Sequence, residues 1–121
     1  MGDLTPHFNR AEFVAPYTDD CWIEPSFMEK LEAARVLAGV SFVITSGCRT
    51  PEHNEKIGGS KNSAHLRGYA ADISARVSGV RHAILRGLFG AGFTRIGIGK
   101  NFIHVDSDPS LPSSVTWTYY G

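Results

Sequence analysis

Apolar side chains between residues 25 and 38 recur every three or four positions, and polar side chains fill the positions between them. This spacing predicts an amphipathic helix over 25–38 with one buried face. Pro25 suits its first turn, and Gly39 suits its end. The same pattern returns over about 79–91 and predicts a second helix, with Ser78 as its N-cap.

Short runs rich in β-branched and aromatic side chains predict strands at 40–45, 69–75, 93–99, 102–106 and 115–120. The first run is mostly apolar and rich in β-branched side chains, so we expect a central strand there. The last follows two prolines and is expected at an edge. The third and fourth should form a hairpin. A short helical turn capped by Asn9, with Phe8 and Phe13 as apolar anchors, should open the chain. This order indicates an α+β domain, a small mostly antiparallel sheet with helices packed on one side.

Twelve basic and twelve acidic side chains balance in this chain of 121 residues. Its length fits one domain, and its zero net charge gives no bulk attraction to nucleic acid. It has no run of about 18 apolar residues and no signal-peptide pattern, so we expect no membrane span and synthesis in the cytoplasm. Cys21 and Cys48 are compatible with a disulfide or with two free thiols.

Candidate chemistry is concentrated in two segments. His65 and Asp72 lie seven residues apart among small residues, and His104 and Asp106 share one face of the predicted strand 102–106. Gly68 would allow the chain to bend between the first two. Two histidines and one aspartate match a catalytic zinc site, which takes three nitrogen or oxygen ligands and leaves a position to water. The alternative is a pair of buried histidines and a turn carboxylate without metal.

These residues also carry a family resemblance. The pattern Ser-x-His-x-x-Gly-x-Ala-x-Asp at 63–72, the later His-x-Asp at 104–106 and the preceding Thr-Ser-Gly-Cys-Arg at 45–49 resemble the zinc D-alanyl-D-alanine peptidases of the M15 group. The M15A C-terminal type, found in small phage and bacterial peptidoglycan peptidases, is the most similar. The resemblance runs from about residue 7 to residue 106. It implies the fold shared by D-Ala-D-Ala metallopeptidases and Hedgehog domains.

The resemblance also implies roles for individual residues. Zn²⁺ would be bound by His65, Asp72 and His104. Arg49 would stabilise the oxyanion of the attacked carbonyl and contact substrate, and two further substrate contacts would come from Ser63 and His53.

The general base is not identified by this pattern. Many relatives have an acidic residue three positions before the last histidine ligand, or a histidine two positions before it, where this chain has Asn101 and Phe102. Asp106 is then either the base or a carboxylate that orients His104. A group that the sequence does not single out is the remaining alternative.

The implied activity is zinc-dependent hydrolysis of amide bonds in peptidoglycan stem peptides, by a carboxypeptidase or an endopeptidase. We expect a monomeric single domain over 1–121, with an N-terminal docking segment (1–24), a metal-site core (40–106) and a tail (107–121). A phage-released or virion-associated lysin acting on the bacterial cell wall would fit. The rivals are a metal-containing module that binds wall peptides or a protein partner without cleaving, and a structural virion component without metal.

Overall fold

A computed structural model describes residues 4–13, 23–47, 65 and 68–119 of the chain. These residues form two α-helices and five strands after an N-terminal 3₁₀ turn at Arg10–Glu12. In chain order they are the helix α1 (Pro25–Ala38), the strands β1 (Ile44–Ser46) and β2 (Ala70–Ser74), the helix α2 (Ser78–Gly90), and the strands β3 (Arg95–Ile98), β4 (Phe102–Asp106) and β5 (Val115–Thr118).

The five strands form one open sheet in the order β1-β2-β4-β3-β5. Neighbouring strands are antiparallel except β3 and β5, which are parallel. The predicted hairpin is present as β3 and β4, and β5 is the predicted edge strand. The α+β class with a mostly antiparallel sheet is therefore confirmed.

The two helices follow the apolar periodicity closely. α1 has the predicted bounds, from Pro25 to Ala38. α2 begins at Ser78, one residue earlier than predicted, and its N-cap is Val77, which makes no capping hydrogen bond through its side chain. The predicted N-cap role of Ser78 is therefore wrong, since Ser78 already belongs to the first helical turn.

The predicted central strand at 40–45 is also wrong. Within the described sheet, β1 starts only at Ile44 and lies at an edge, paired with β2 alone. The side chain of Phe42 is buried, but that of Val43 is 60% exposed. One side of this segment therefore faces solvent, although every side chain in it is apolar or small. A mostly apolar, β-branched run does not distinguish a central strand from an edge strand.

Both helices cover the same side of the sheet. Ile103 and Val105 of β4 are fully buried among core residues, together with Ile84 and Leu88 of α2. Because successive side chains of a strand point to opposite faces, His104 and Asp106 lie on the face away from the helices. The fold thus separates an apolar face from a polar one.

The N-terminal segment packs on this core. Phe8 is 1% exposed, and its ring lies 5.5 Å from that of Phe13 and 6.3 Å from that of Phe42. Asn9 is the predicted cap of the 3₁₀ turn, and its backbone N–H donates to the Glu12 carboxylate at 2.7 Å. The segment is therefore attached by buried aromatic rings, while the division of the chain into segments stays a prediction.

Neither described helix combines the length and the apolar character needed to cross a membrane.

Replacing Phe8 by alanine should destabilise the protein by about 3–5 kcal/mol, because it empties a fully buried aromatic site. The matched control is Phe89→Ala, since Phe89 lies on α2 and is 54% exposed. That change should alter the free energy of unfolding by about 0.5 kcal/mol or less. Urea unfolding followed by circular dichroism measures both. Equal effects of the two substitutions would contradict the buried anchor.

Candidate metal centre

The centre of the site is the pairing of β2 with β4. In this antiparallel register Asp72 lies directly opposite His104, and both side chains are on the face that the helices do not cover. Directly opposed side chains in an antiparallel pair have Cβ atoms about 5 Å apart, close enough to share one ligand. Residues that are 32 positions apart in sequence therefore meet at one point.

His65 is brought to this point by the connection that leads into β2. Gly68, three residues later, has φ of 78°, a left-handed conformation that favours glycine. Nδ1–H of His65 donates to the carbonyl of Gly47 at 2.5 Å, which leaves Nε2 to face Asp72 Oδ1 at 3.4 Å. Because a carbonyl oxygen only accepts, this hydrogen bond assigns the ring proton to Nδ1. The predicted bend at Gly68 is present.

His104 uses its two ring nitrogens for two different carboxylates. Nδ1 lies 2.9 Å from Asp72 Oδ1, and Nε2 lies 2.8 Å from Asp106 Oδ2. The rings of His65 and His104 have centroids 5.1 Å apart, and both side chains are buried. The imidazole of His104 is therefore held in place from both sides.

The proximity of these groups changes their proton affinities. Burial raises the pKa of Asp72, but hydrogen bonds from His104 and His65 outweigh it and hold that pKa well below its ordinary value. Burial lowers the pKa of His104, whereas its hydrogen bonds to Asp106 and Asp72 raise it and prevail. Both shifts favour an ionised Asp72 beside a protonated His104. A metal ion bound by both side chains would take the place of that proton.

The donor set fits a divalent metal. One ligand atom from each of His65, Asp72 and His104 lies within 4.8 Å of the others. Two imidazole nitrogens and one carboxylate oxygen match the three-ligand sets of catalytic zinc sites. Among the residues that the structure describes, these three are the only candidate metal-binding group of this kind.

Asp106 lies behind His104 and has partners on both of its oxygens. Its side chain is 1% exposed; Oδ2 faces His104, and Oδ1 accepts a hydrogen bond from Arg95 Nε at 2.6 Å. The guanidinium of Arg95 also donates to the carbonyl of Pro112 at 2.5 Å. A buried carboxylate is thereby paired with a cation, as its desolvation requires.

The sequence alone did not single out Arg95. It lies opposite Asp106 in the register between β3 and β4, and that register depends on a hairpin whose exact pairing has no local sequence signal. The one signal for Arg95 in the sequence is its place in β3, where the alternation of side chains directs it to the polar face of the sheet.

The structure brings together some predicted site residues and does not address others. His65, Asp72 and His104 converge, and Asp106 contacts His104. The other predicted site residues, Arg49, His53 and Ser63, lie outside the described residues, and so do Cys21 and Cys48. The functional roles of all these residues stay predictions.

Comparison with known proteins identifies the family. The family model for peptidase M15 matches residues 6–106, which is well over half of the chain and includes all three candidate ligands. No curated protein is similar enough in sequence to count as a match. The extent of the family match shows that this chain belongs to the peptidase M15 family.

Proposed function

We propose that this peptidase is zinc-dependent and hydrolyses amide bonds in the stem peptides of peptidoglycan. The observation that carries the proposal is the convergence of His65, Asp72 and His104 within 4.8 Å, in a chain that belongs to a peptidase family. The peptidoglycan substrate is drawn from the resemblance of segments 63–72 and 104–106 to zinc D-alanyl-D-alanine peptidases.

A zinc ion held by these residues would supply a Lewis acid that polarises the scissile carbonyl and activates the hydrolytic water. The protein's own contribution is to present the ligand atoms in fixed positions. Gly47 holds His65 through Nδ1, so that Nε2 is the nitrogen available as a ligand. Asp106 holds His104 through Nε2, so that Nδ1 is available.

We assign Asp106 to the orientation of His104 rather than to proton transfer. Both of its oxygens are already engaged, by His104 and by Arg95, and the side chain is buried. A general base must reach the proton that it removes, and a buried carboxylate with both oxygens engaged is poorly placed to do so. Carboxylates that accept the second N–H of a ligand histidine are common around zinc.

The remaining parts of the mechanism rest on the resemblance alone. Arg49 would stabilise the negative charge that develops on the attacked carbonyl oxygen, as a guanidinium can in a dry cleft. His53 and Ser63 would contact the peptide. Removal of a terminal D-alanine and cleavage within a stem or cross-link both fit this chemistry. A monomeric phage lysin that acts on the bacterial cell wall is the biological setting that we propose.

A second candidate is a metal-containing module that binds wall peptides without cleaving them. Asn101 and Phe102 occupy the positions at which many relatives have the base, and neither side chain can accept a proton from water at neutral pH. The ring of Phe102 instead packs against Tyr119, with centroids 5.1 Å apart. This aromatic contact at an expected catalytic position is what favours the binding module.

Zinc content tests the ligand set. We expect about one zinc ion per chain in the parent and almost none in His65→Ala, because a site reduced to two protein ligands binds zinc far more weakly. His82→Ala is the matched control, since His82 is an exposed histidine on α2. Elemental analysis after dialysis measures both variants. Full zinc content in His65→Ala would contradict the assignment.

The reaction is tested by mass spectrometry of purified muropeptides incubated with the zinc-loaded protein. Loss of one terminal alanine would identify a D,D-carboxypeptidase, whereas a cut stem or a separated cross-linked dimer would identify an endopeptidase. A chelator should abolish either product, because it removes the Lewis acid. Unchanged muropeptides in the presence of bound zinc would contradict hydrolysis and favour the binding module.

Asp106→Asn separates the two roles of this residue. If Asp106 orients His104, the substitution should weaken zinc affinity by about 10–100-fold and leave the rate at saturating zinc within about 10-fold of the parent. If Asp106 is the general base, the substitution should lower the rate at saturating zinc by about 10²–10⁴-fold with little change in zinc affinity. Zinc titration and steady-state kinetics distinguish the outcomes, and the second one would overturn our assignment.

A further inference from the structure

The row of side chains across the polar face of the sheet continues beyond the candidate metal ligands. Register pairs place Asp72 opposite His104, His104 opposite Gly97, and Gly97 beside Trp117. These four residues therefore lie side by side on four adjacent strands. Trp117 belongs to β5, which lies outside residues 6–106 that match the family model.

Gly97 creates the space in which the aromatic side chains lie. A Cβ atom at this position would be 2.6 Å from Trp117 Nε1 and 2.7 Å from Tyr119 Cε2, closer than side chains approach one another. The indole of Trp117 therefore leans across β3 towards the metal site. Its ring centroid is 5.6 Å from that of His104, and the phenol ring of Tyr119 is 6.4 Å from the same imidazole.

The aromatic side chains are held firmly in this position. The guanidinium of Arg95 lies 5.0 Å from the Trp117 ring centroid, a cation–π contact, while Arg95 is itself anchored by Asp106. The rings of Trp117 and Tyr119 are 6.3 Å apart, and Phe102 packs on Tyr119 at 5.1 Å. Neither Trp117 nor Tyr119 belongs to the hydrophobic core, and Tyr119 is 51% exposed.

We propose that Trp117 and Tyr119 form a substrate-binding wall that contacts the residue next to the scissile amide. The inference rests on the proposed function. The wall adjoins His104, a candidate metal ligand. Because consecutive Cα atoms are about 3.8 Å apart, a substrate residue beside the amide that is attacked at the metal lies within reach of the Trp117 indole. The occupant is a small uncharged residue such as D-alanine.

The chemistry of the wall supports this occupant. Its contact surface consists of aromatic rings, which gain free energy by covering apolar groups such as a methyl. Among the residues that the structure describes, the cation in contact with the wall is Arg95, which is already engaged by Asp106 and by the carbonyl of Pro112. A carboxylate on the substrate would therefore lose water at the rings without gaining a matching partner from them. A cationic side chain would find one face of the Trp117 ring already covered by the guanidinium of Arg95.

The primary test compares Trp117→Ala with Thr116→Ala in the zinc-loaded protein, using a stem pentapeptide that ends in D-Ala-D-Ala. Thr116 is the adjacent residue of β5, is exposed, and points to the opposite face of the sheet. We expect the Trp117 change to raise KM by about 10-fold or more and to leave kcat within about threefold, because it removes binding shared by ground and transition states. Thr116→Ala should match the parent.

Two further variants separate substrate contact from simple packing. Trp117→Phe keeps an aromatic surface and should recover most of the lost affinity. Gly97→Ala keeps both rings but forces them away from their position, so it should raise KM as well. Zinc content and Tm are measured for every variant, since a purely structural role would lower these values together with kcat rather than raise KM selectively.

The outcomes distinguish this inference from the proposed function. If the parent cleaves the pentapeptide and Trp117→Ala has an unchanged KM, the wall is overturned and the proposed function stands. If the parent does not cleave, hydrolysis is overturned, and calorimetric titration of the same zinc-loaded proteins with the pentapeptide tests the wall. A Kd weakened about 10-fold by Trp117→Ala then supports it, whereas equal Kd values or no binding by the parent overturn it.

Discussion

The antiparallel pairing of β2 with β4 is the constraint on which both the core and the site depend. One register places Asp72 opposite His104 and, one position further, Ile73 opposite Ile103. A slip of one residue in β4 would turn the isoleucine to the polar face and the histidine into the core. The hydrophobic effect therefore selects the same register that assembles the candidate ligands. Core side chains beneath β4 therefore help to fix the positions of Asp72 and His104, because the same register aligns both faces of the strand.

The polar face of the sheet is an electrostatic network in which each buried charge has a partner. Asp72 contacts both histidines, His104 contacts Asp106, and Asp106 contacts Arg95. Burying such groups costs several kcal/mol per ion unless they are paired in good geometry. Removing one of these side chains would leave a neighbouring charge buried without its partner, which destabilises the folded state. A divalent cation at the three ligands would displace the proton between Asp72 and His104 and take its place in this network.

Arg95 links the metal site to the aromatic side chains of β5. Its Nε binds Asp106, and its guanidinium packs on Trp117, so one side chain contacts both the support of a candidate ligand and the proposed substrate wall. The parallel edge strand β5 thus lies beside the site, even though the recognisable motifs end at residue 106. The aromatic side chains of β5 lie beyond residue 106, outside the part of the chain that the family model matches.

The sequence by itself determined the helices, the approximate positions of the strands and the three candidate ligands. Helix α1 was predicted to the residue, and His65, Asp72 and His104 were recognised by type and spacing, because periodicity and motifs are local properties. Tertiary structure decided that β1 is an edge strand, that Arg95 holds Asp106, and that Trp117 lies beside His104. These facts follow from strand order and register, which are set by packing between residues distant in the chain and therefore have no local signal.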